Sequence, residues 1–173
     1  MARCYSELVK RRHPSLSESL PHIWLVTDAR NDAQLDRVIA RLPRGAGVIF
    51  RHYHLPPKER AVRLAQVRRW CRRFGHQLEI GGEGYGPPAP RRVLATVHDL
   101  REIGQANRAG VEAVVLSPVF ATRSHPGSKA LGRLRFLLLA RRARMPVIAL
   151  GGMTARRLRG LRVLGWAAID GLS

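Results

Sequence analysis

The sequence predicts an α/β fold built on a parallel sheet, and three observations carry that reading. Strand-like and helix-like runs alternate along most of the 173 residues, the order that lays helices over a parallel sheet. The run Ala113-Val114-Val115-Leu116 is continuously apolar, as in strands buried on both faces. A second such run, Pro146 to Leu150, follows at the spacing of one βα unit, since a (β/α)8 barrel of ~250 residues spends about 30 on each.

Ile23-Trp24-Leu25-Val26-Thr27-Asp28 reads as the first strand, ending in an acidic turn. A helix is expected from Ala33 to Leu42, stopped by Pro43. Gly47 to Arg51 is the second strand. Pro56-Pro57 opens a helix to about Phe74, with Leu64, Val67, Cys71 and Phe74 on one stripe. Gln77 to Ile80 is the third strand, broken by Gly81-Gly82. Gly84 to Pro90 is a turn-rich bridge, too short for a strand and a helix. Leu94 to Val97 resumes the sheet, and Asp99 caps the next helix with Glu102 in a capping-box-like arrangement. Leu100, Ile103 and Ala106 are its expected buried stripe. Leu131, Leu134 and Leu138 are expected to serve the following helix in the same way. Thr154 caps a short basic helix, and Ala167-Ala168-Ile169 is the last of seven strands. Residues 1–20 read as an N-terminal helical extension of a single 1–173 domain.

Composition bounds the function classes. Hydrophobic and charged contents of 45% and 25% are ordinary for a globular chain, and no apolar run reaches the ~20 residues of a membrane helix. Met1 to Leu20 has no apolar core of a secretory signal. Cys4 and Cys71 fit no metal spacing and read as reduced thiols in a cytoplasmic protein. The net charge of +19 suggests nucleic acid. However, only Lys10, Lys58 and Lys129 among the 31 basic residues are lysine, a skew that codon usage in a GC-rich genome produces. Arg68, Arg69, Arg72 and Arg73 on one helix, and Arg156, Arg157, Arg159 and Arg162 on another, read as solvated faces. Aromatic content is 6% with no stacking signature, so specific nucleic-acid binding is disfavoured. A homo-oligomer is left open.

The candidate chemistry lies at strand ends. Ser117 to Gly127 packs hydroxyls, a guanidinium and an imidazole into Thr122-Arg123-Ser124-His125, which suits a phosphorylated ligand beyond a parallel strand. Gly151-Gly152 lets backbone N–H groups approach an anion. Arg51 ends the second strand with a fork suited to phosphate, or snorkels there. Thr96 and His98, two apart, point to the same side. His52 and His54 have the spacing of a transition-metal pair but lack a third ligand, which favours exposed or loop-packed histidines.

From about Val93 to Ile169 these segments resemble the thiamine phosphate synthase family, which includes the related thiazole tautomerases. The family carries a hydroxyl-x-His strand end, a Gly-Pro-Val-Phe-x-Thr-x-Thr-Lys-Pro-Gly loop and an Ala-Ile-Gly-Gly-Ile loop. The resemblance implies a (β/α)8 TIM-barrel-like fold with one βα unit, around residues 82–92, eroded or missing. It implies condensation of a hydroxymethylpyrimidine pyrophosphate with a thiazole phosphate to give thiamine phosphate and pyrophosphate. The roles it implies are catalytic for Thr96, His98, Ser124 and His125, and phosphate-binding for Arg51, Thr122, Ser124, Gly151 and Gly152. It also implies Mg2+, but the expected carboxylates are absent from their positions. Glu79 and Glu83 are the only acids nearby, and the metal ligands are unknown. His125 replaces the family's lysine, Asp170 stands where the family has a phosphate-binding serine, and Pro118 where the tautomerases have a histidine. An altered member that binds a phosphorylated metabolite without condensing it is the alternative, and a basic nucleic-acid-binding protein is a more distant one.

Overall fold

Alternation along each short strand sends its side chains to opposite faces of the sheet, and in the strands between the two edges both faces are apolar. The computed structural model describes residues 20–81, 94–122, 129–170 and 172. Its strands are β1 (Ile23–Val26), β2 (Gly47–Phe50), β3 (Gln77–Ile80), β4 (Leu94–Val97), β5 (Ala113–Leu116), β6 (Val147–Leu150) and β7 (Gly165–Ala168). A 3-10 turn (Ala29–Gln34) leads into α1 (Leu35–Arg41). The other helices are α2 (Pro57–Phe74), α3 (Leu100–Ala109), α4 (Gly132–Ala140) and α5 (Ala155–Leu158).

All pairings are parallel, in the order β3-β2-β1-β7-β6-β5-β4. Followed in that order, the first and last strands are neighbours, and β3 and β4 are the two edges. Among the described residues the sheet is a curled wall of seven parallel strands with β3 and β4 as its edges; residues 82–93, which join those edges in sequence, lie outside the described residues. The Gly84–Pro90 bridge, Glu83 and the 1–19 part of the expected N-terminal extension lie outside the described residues.

Trp24, Val26, Ala113, Val115, Ile148, Ala167 and Ile169 fill the concave side. On the convex side, Val114, Leu116, Val147 and Ala149 meet Ile103 of α3 and Phe136 of α4. Leu25, Val48 and Phe50 meet Leu35, Ile39, Val67 and Cys71. Burial pushes the Cys71 thiol up to about 11, so it stays protonated. Gly75, at φ +72°, closes α2 in a left-handed cap by donating its N–H to the Cys71 carbonyl.

Two expectations about helix faces are corrected. Leu134 and Leu138 are exposed, at 74% and 55%. Phe136 sets the phase of α4, and residues two positions either side of it lie about 200° round the axis. Leu100 is also exposed, at 57%, in the first turn of α3, while Ile103 and Ala106 hold the buried face. The expected Ala33–Leu42 helix begins instead as the 3-10 turn. Asp28 accepts from the turn's backbone and Asn31 Oδ1 accepts from the Asp28 N–H, a closed capping box.

Gly47 pairs with Trp24 across the sheet, and the Trp24 ring occupies the space a Cβ at Gly47 would need. The indole is fully buried and donates to the Pro21 carbonyl at 2.7 Å, so it has no free route aside. Gly47→Ala is expected to destabilise the fold by about 1–3 kcal/mol, the usual cost of overpacking. Urea unfolding of the two proteins checks this, and an unchanged midpoint would refute it.

Candidate functional site

Parallel strands deliver their C-terminal residues to one end of the sheet. Here that end surrounds a cavity of about 660 Å³ lined by Arg51, Thr96, His98, Thr122, Gly151 and Gly152, with Val26, Ile49, Val115 and Ile169 as its apolar floor. Six of the eight residues expected to form a site are thus brought together. The other two, Ser124 and His125, lie outside the described residues. Thr96 and His98 both face the cavity. Glu102 does not close the expected box on Asp99. Its carboxylate accepts from the His98 N–H at 2.6 Å and stands 2.9 Å from His98 Nδ1, while Asp99 caps the Glu102 N–H at 2.8 Å. The acid therefore orients the imidazole.

Arg51 is held by its backbone. Its N–H donates to Thr27 Oγ1 at 2.9 Å, and its carbonyl accepts from Arg60 Nε at 3.1 Å. Thr27 Oγ1 is also 2.7 Å from His52 Nδ1, and His52 Nε2 is 2.7 Å from Asp32 Oδ1. Arg63 of α2 donates to the same carboxylate oxygen at 2.7 Å. His52 is wholly buried, stacks on Phe50 at 4.8 Å, and has φ +36°, a strained value for a residue with a Cβ. The metal-pair reading of His52 and His54 does not hold, because both His52 nitrogens already have protein partners; His54 is exposed as expected, whereas His52 is buried. Burial pushes the imidazole below its ordinary pKa, only partly offset by Asp32. Burial also pushes Asp32 up, but the bonds from His52 and Arg63 outweigh it and hold the carboxyl low.

The β5 and β6 ends pack against each other. Val119 donates to the Leu150 carbonyl at 2.9 Å and Phe120 to the Gly151 carbonyl at 3.0 Å. A Cβ at Gly151, where φ is +99°, would come within 2.7 Å of Pro118. At Gly152 it would meet the Ala121 carbonyl at 2.5 Å. Close backbone packing is thus a reason for both glycines, alongside the expected approach to an anion. Arg157, expected on a solvated face, is exposed and also lines the cavity, donating to the Gly152 carbonyl and lying 4.9 Å over the Phe120 ring. Tyr53 and Asp170 also line it.

The family model for thiamine monophosphate synthase matches residues 89–172. Over 180 residues the chain is 31% identical to "Putative thiamine-phosphate synthase 2" of Aquifex aeolicus, covering 89% of this chain and 97% of that one. The chain belongs to the thiamine phosphate synthase family. It is also 29% identical to the thiamine biosynthesis bifunctional protein of Geobacter sulfurreducens, covering 83% of this chain but about a third (34%) of that longer one. Among solved structures, a thiamine phosphate pyrophosphorylase from Pyrococcus furiosus shares the fold with a TM-score of 0.73 at 19% identity, over 90% of this chain and 88% of that one.

Against the thiamine phosphate synthase pattern, two departures are visible. Asp170, at the β7 end, pairs with Arg30 at 3.1 Å, and Arg30 also holds Asp28 at 3.0 Å. Burial raises the Asp28 carboxyl, yet the Arg30 bonds bring it below its ordinary range. The second departure concerns magnesium. Among the described residues no three histidine, cysteine or acidic side chains converge. Asp32, Asp28 and Asp170 are engaged by cations, and Glu79 is raised by burial and by the charge of Glu112. A hard octahedral cation needs several free oxygen ligands in fixed positions, and the described residues do not fit it.

The folded pKa of His52 lies below its unfolded value of 6.5. The stability it contributes is therefore present above that value and is lost as pH falls toward the folded one. The melting temperature is expected to drop between pH 7.5 and 5.5, and less so in His52→Gln. Parallel melts of the two proteins by circular dichroism check this, and equal drops would refute it.

Proposed function

We propose that this protein joins a hydroxymethylpyrimidine pyrophosphate to a thiazole phosphate, releasing thiamine phosphate and pyrophosphate, in the cavity at the C-terminal ends of its strands. The observation that carries the reading is the convergence of Arg51, Thr96, His98, Thr122, Gly151 and Gly152, drawn from four strand ends, on one cavity. In this reaction the pyrimidine methylene–oxygen bond breaks, pyrophosphate leaves with the electron pair, and the thiazole nitrogen captures the carbocation-like centre. The protein's task is to hold the partners and meet the charge growing on the leaving group.

Arg51 is suited to that charge by its bidentate fork, and the Thr96 hydroxyl lines the same cavity. His98, oriented by Glu102, faces the same space. Thr122, Gly151 and Gly152, with Ser124 and His125 of the same loop, are assigned to the thiazole phosphate and the outgoing pyrophosphate. Arg157 joins them as a cation at the cavity's edge. The apolar floor suits two flat heteroaromatic rings. In this reading the protein works in the cytoplasm, where Cys71 remains a buried thiol.

A second reading has one observation in its favour: a carboxylate, Asp170, stands at the β7 end and is tied to Arg30. It would oppose a phosphate there, which suits a member that binds a phosphorylated metabolite without condensing it. The two readings separate in one assay of the purified protein with both substrates and magnesium. Slow formation of thiamine phosphate is expected, with Arg51→Ala lowering kcat/KM by about 100–1,000-fold, the usual loss when one preorganised contact to developing charge is removed. Tight binding of either substrate with no product would favour the second reading. Turnover unaffected by Arg51→Ala would remove Arg51 from the site.

A further inference from the structure

We infer that the hydrogen-bonded chain Thr27–His52–Asp32, buried at Thr27 and His52, is a positioning device that fixes the backbone of Arg51, so that the guanidinium enters the cavity ready for a phosphate. The inference rests on the reading of Arg51 as a phosphate-binding residue. Every link is a short contact. The Arg51 N–H donates to Thr27 Oγ1 at 2.9 Å, Thr27 Oγ1 meets His52 Nδ1 at 2.7 Å, and His52 Nε2 meets Asp32 Oδ1 at 2.7 Å. The links come from the β1 end, the β2 end and the 3-10 turn, with Arg63 of α2 anchoring the carboxylate at 2.7 Å.

The proton positions follow from the partners. An ionised carboxylate only accepts, so His52 Nε2 carries the hydrogen, and in the neutral ring Nδ1 accepts from the Thr27 hydroxyl. That leaves a lone pair on Thr27 Oγ1 for the Arg51 N–H. Protonating His52 puts a second hydrogen against Thr27 Oγ1 and strands the hydroxyl proton in a fully buried place. The charged and titratable groups around His52 are Asp32, Arg63 and His54, with Arg60 lying 5.3 Å over the Phe50 ring that stacks on it. Burial keeps the ring neutral, which is the state the chain needs. The φ of +36° at His52 turns the chain so that consecutive residues diverge, with Arg51 lining the cavity and His52 in the core.

The test titrates inorganic pyrophosphate into wild-type protein, Thr27→Val, Thr27→Ser, Asp32→Asn and Arg51→Ala by calorimetry, and follows the Arg51 amide by NMR between pH 5 and 8. Valine keeps the shape of threonine and removes the hydroxyl. It is expected to weaken pyrophosphate about ten-fold, the scale of one unsatisfied backbone donor, while serine restores binding. The Arg51 amide is expected to shift with the His52 titration and to lose that response in Thr27→Val. Asp32→Asn, the second variant should valine fail to fold, is expected to weaken pyrophosphate and raise the tautomeric heterogeneity of His52. If Arg51→Ala abolishes binding but Thr27→Val and Asp32→Asn bind as wild type, the positioning role is overturned and the Arg51 reading stands. If Arg51→Ala binds as wild type, the Arg51 reading fails and the inference fails with it.

Discussion

The pairing of the first strand with the last governs everything at the cavity. Ile23, Trp24 and Leu25 of β1 register with Trp166, Ala167 and Ala168 of β7, and this contact turns a row of strands into a curled wall. It is secured at the functional end by one buried side chain. Asn31 Nδ2 donates to the Val26 carbonyl at 3.0 Å and the Ile169 carbonyl at 3.1 Å, while its Oδ1 accepts from the Asp28 N–H at 2.9 Å. Its two amide hydrogens and its oxygen are thus all used, as burial demands. Without that joint, the β4–β6 ends that bring Thr96, Thr122 and Gly151 would have no fixed relation to the β2 end that brings Arg51.

The same end shows how a highly basic chain arranges a site. Arginine is used here in three ways. Arg60 and Arg63 serve the backbone of Arg51 and the carboxylate of Asp32, Arg30 neutralises Asp28 and Asp170, and Arg51 and Arg157 reach the cavity. Asp28, Asp32 and Asp170 answer to arginines or to His52, so they work as supports for cations. The cavity is left with a positive balance suited to phosphorylated ligands, focused by apolar walls. The arginines of the α2 surface, Arg68, Arg69, Arg72 and Arg73, are exposed and add charge without geometry.

The strands and the site's neighbourhood were legible because their signals are local. Val114-Val115-Leu116 and Val147-Ile148 are apolar runs punctuated by proline and glycine, and strand ends follow directly from such runs. The orientation of α4 was not legible. Leu134, Phe136, Leu137, Leu138 and Leu139 surround the helix, so no period chooses a face, and only the fit of Phe136 against β5 and β6 does. His52 was hidden for the opposite reason. Arg51-His52-Tyr53-His54 reads as a polar loop, and nothing local reveals that Thr27 and Asp32 meet His52 inside the core. Arg157 was missed because its place depends on how the β5 and β6 loops pack, which Gly151 and Gly152 permit but do not announce.

In the amino-terminal half no acid stands where the resemblance places the magnesium carboxylates, and the described residues do not fit that cation. The same half carries a backbone clamp on Arg51, built from Thr27, His52, Asp32, Arg60 and Arg63. A mobile arginine loses side-chain entropy of up to ~2 kcal/mol when it is ordered on a ligand. A backbone fixed on both the N–H and carbonyl sides leaves that side-chain cost in place but spares binding the cost of ordering the backbone. The strained φ at His52 is then intelligible as the local cost of sending Arg51 outward and its neighbour inward from consecutive positions.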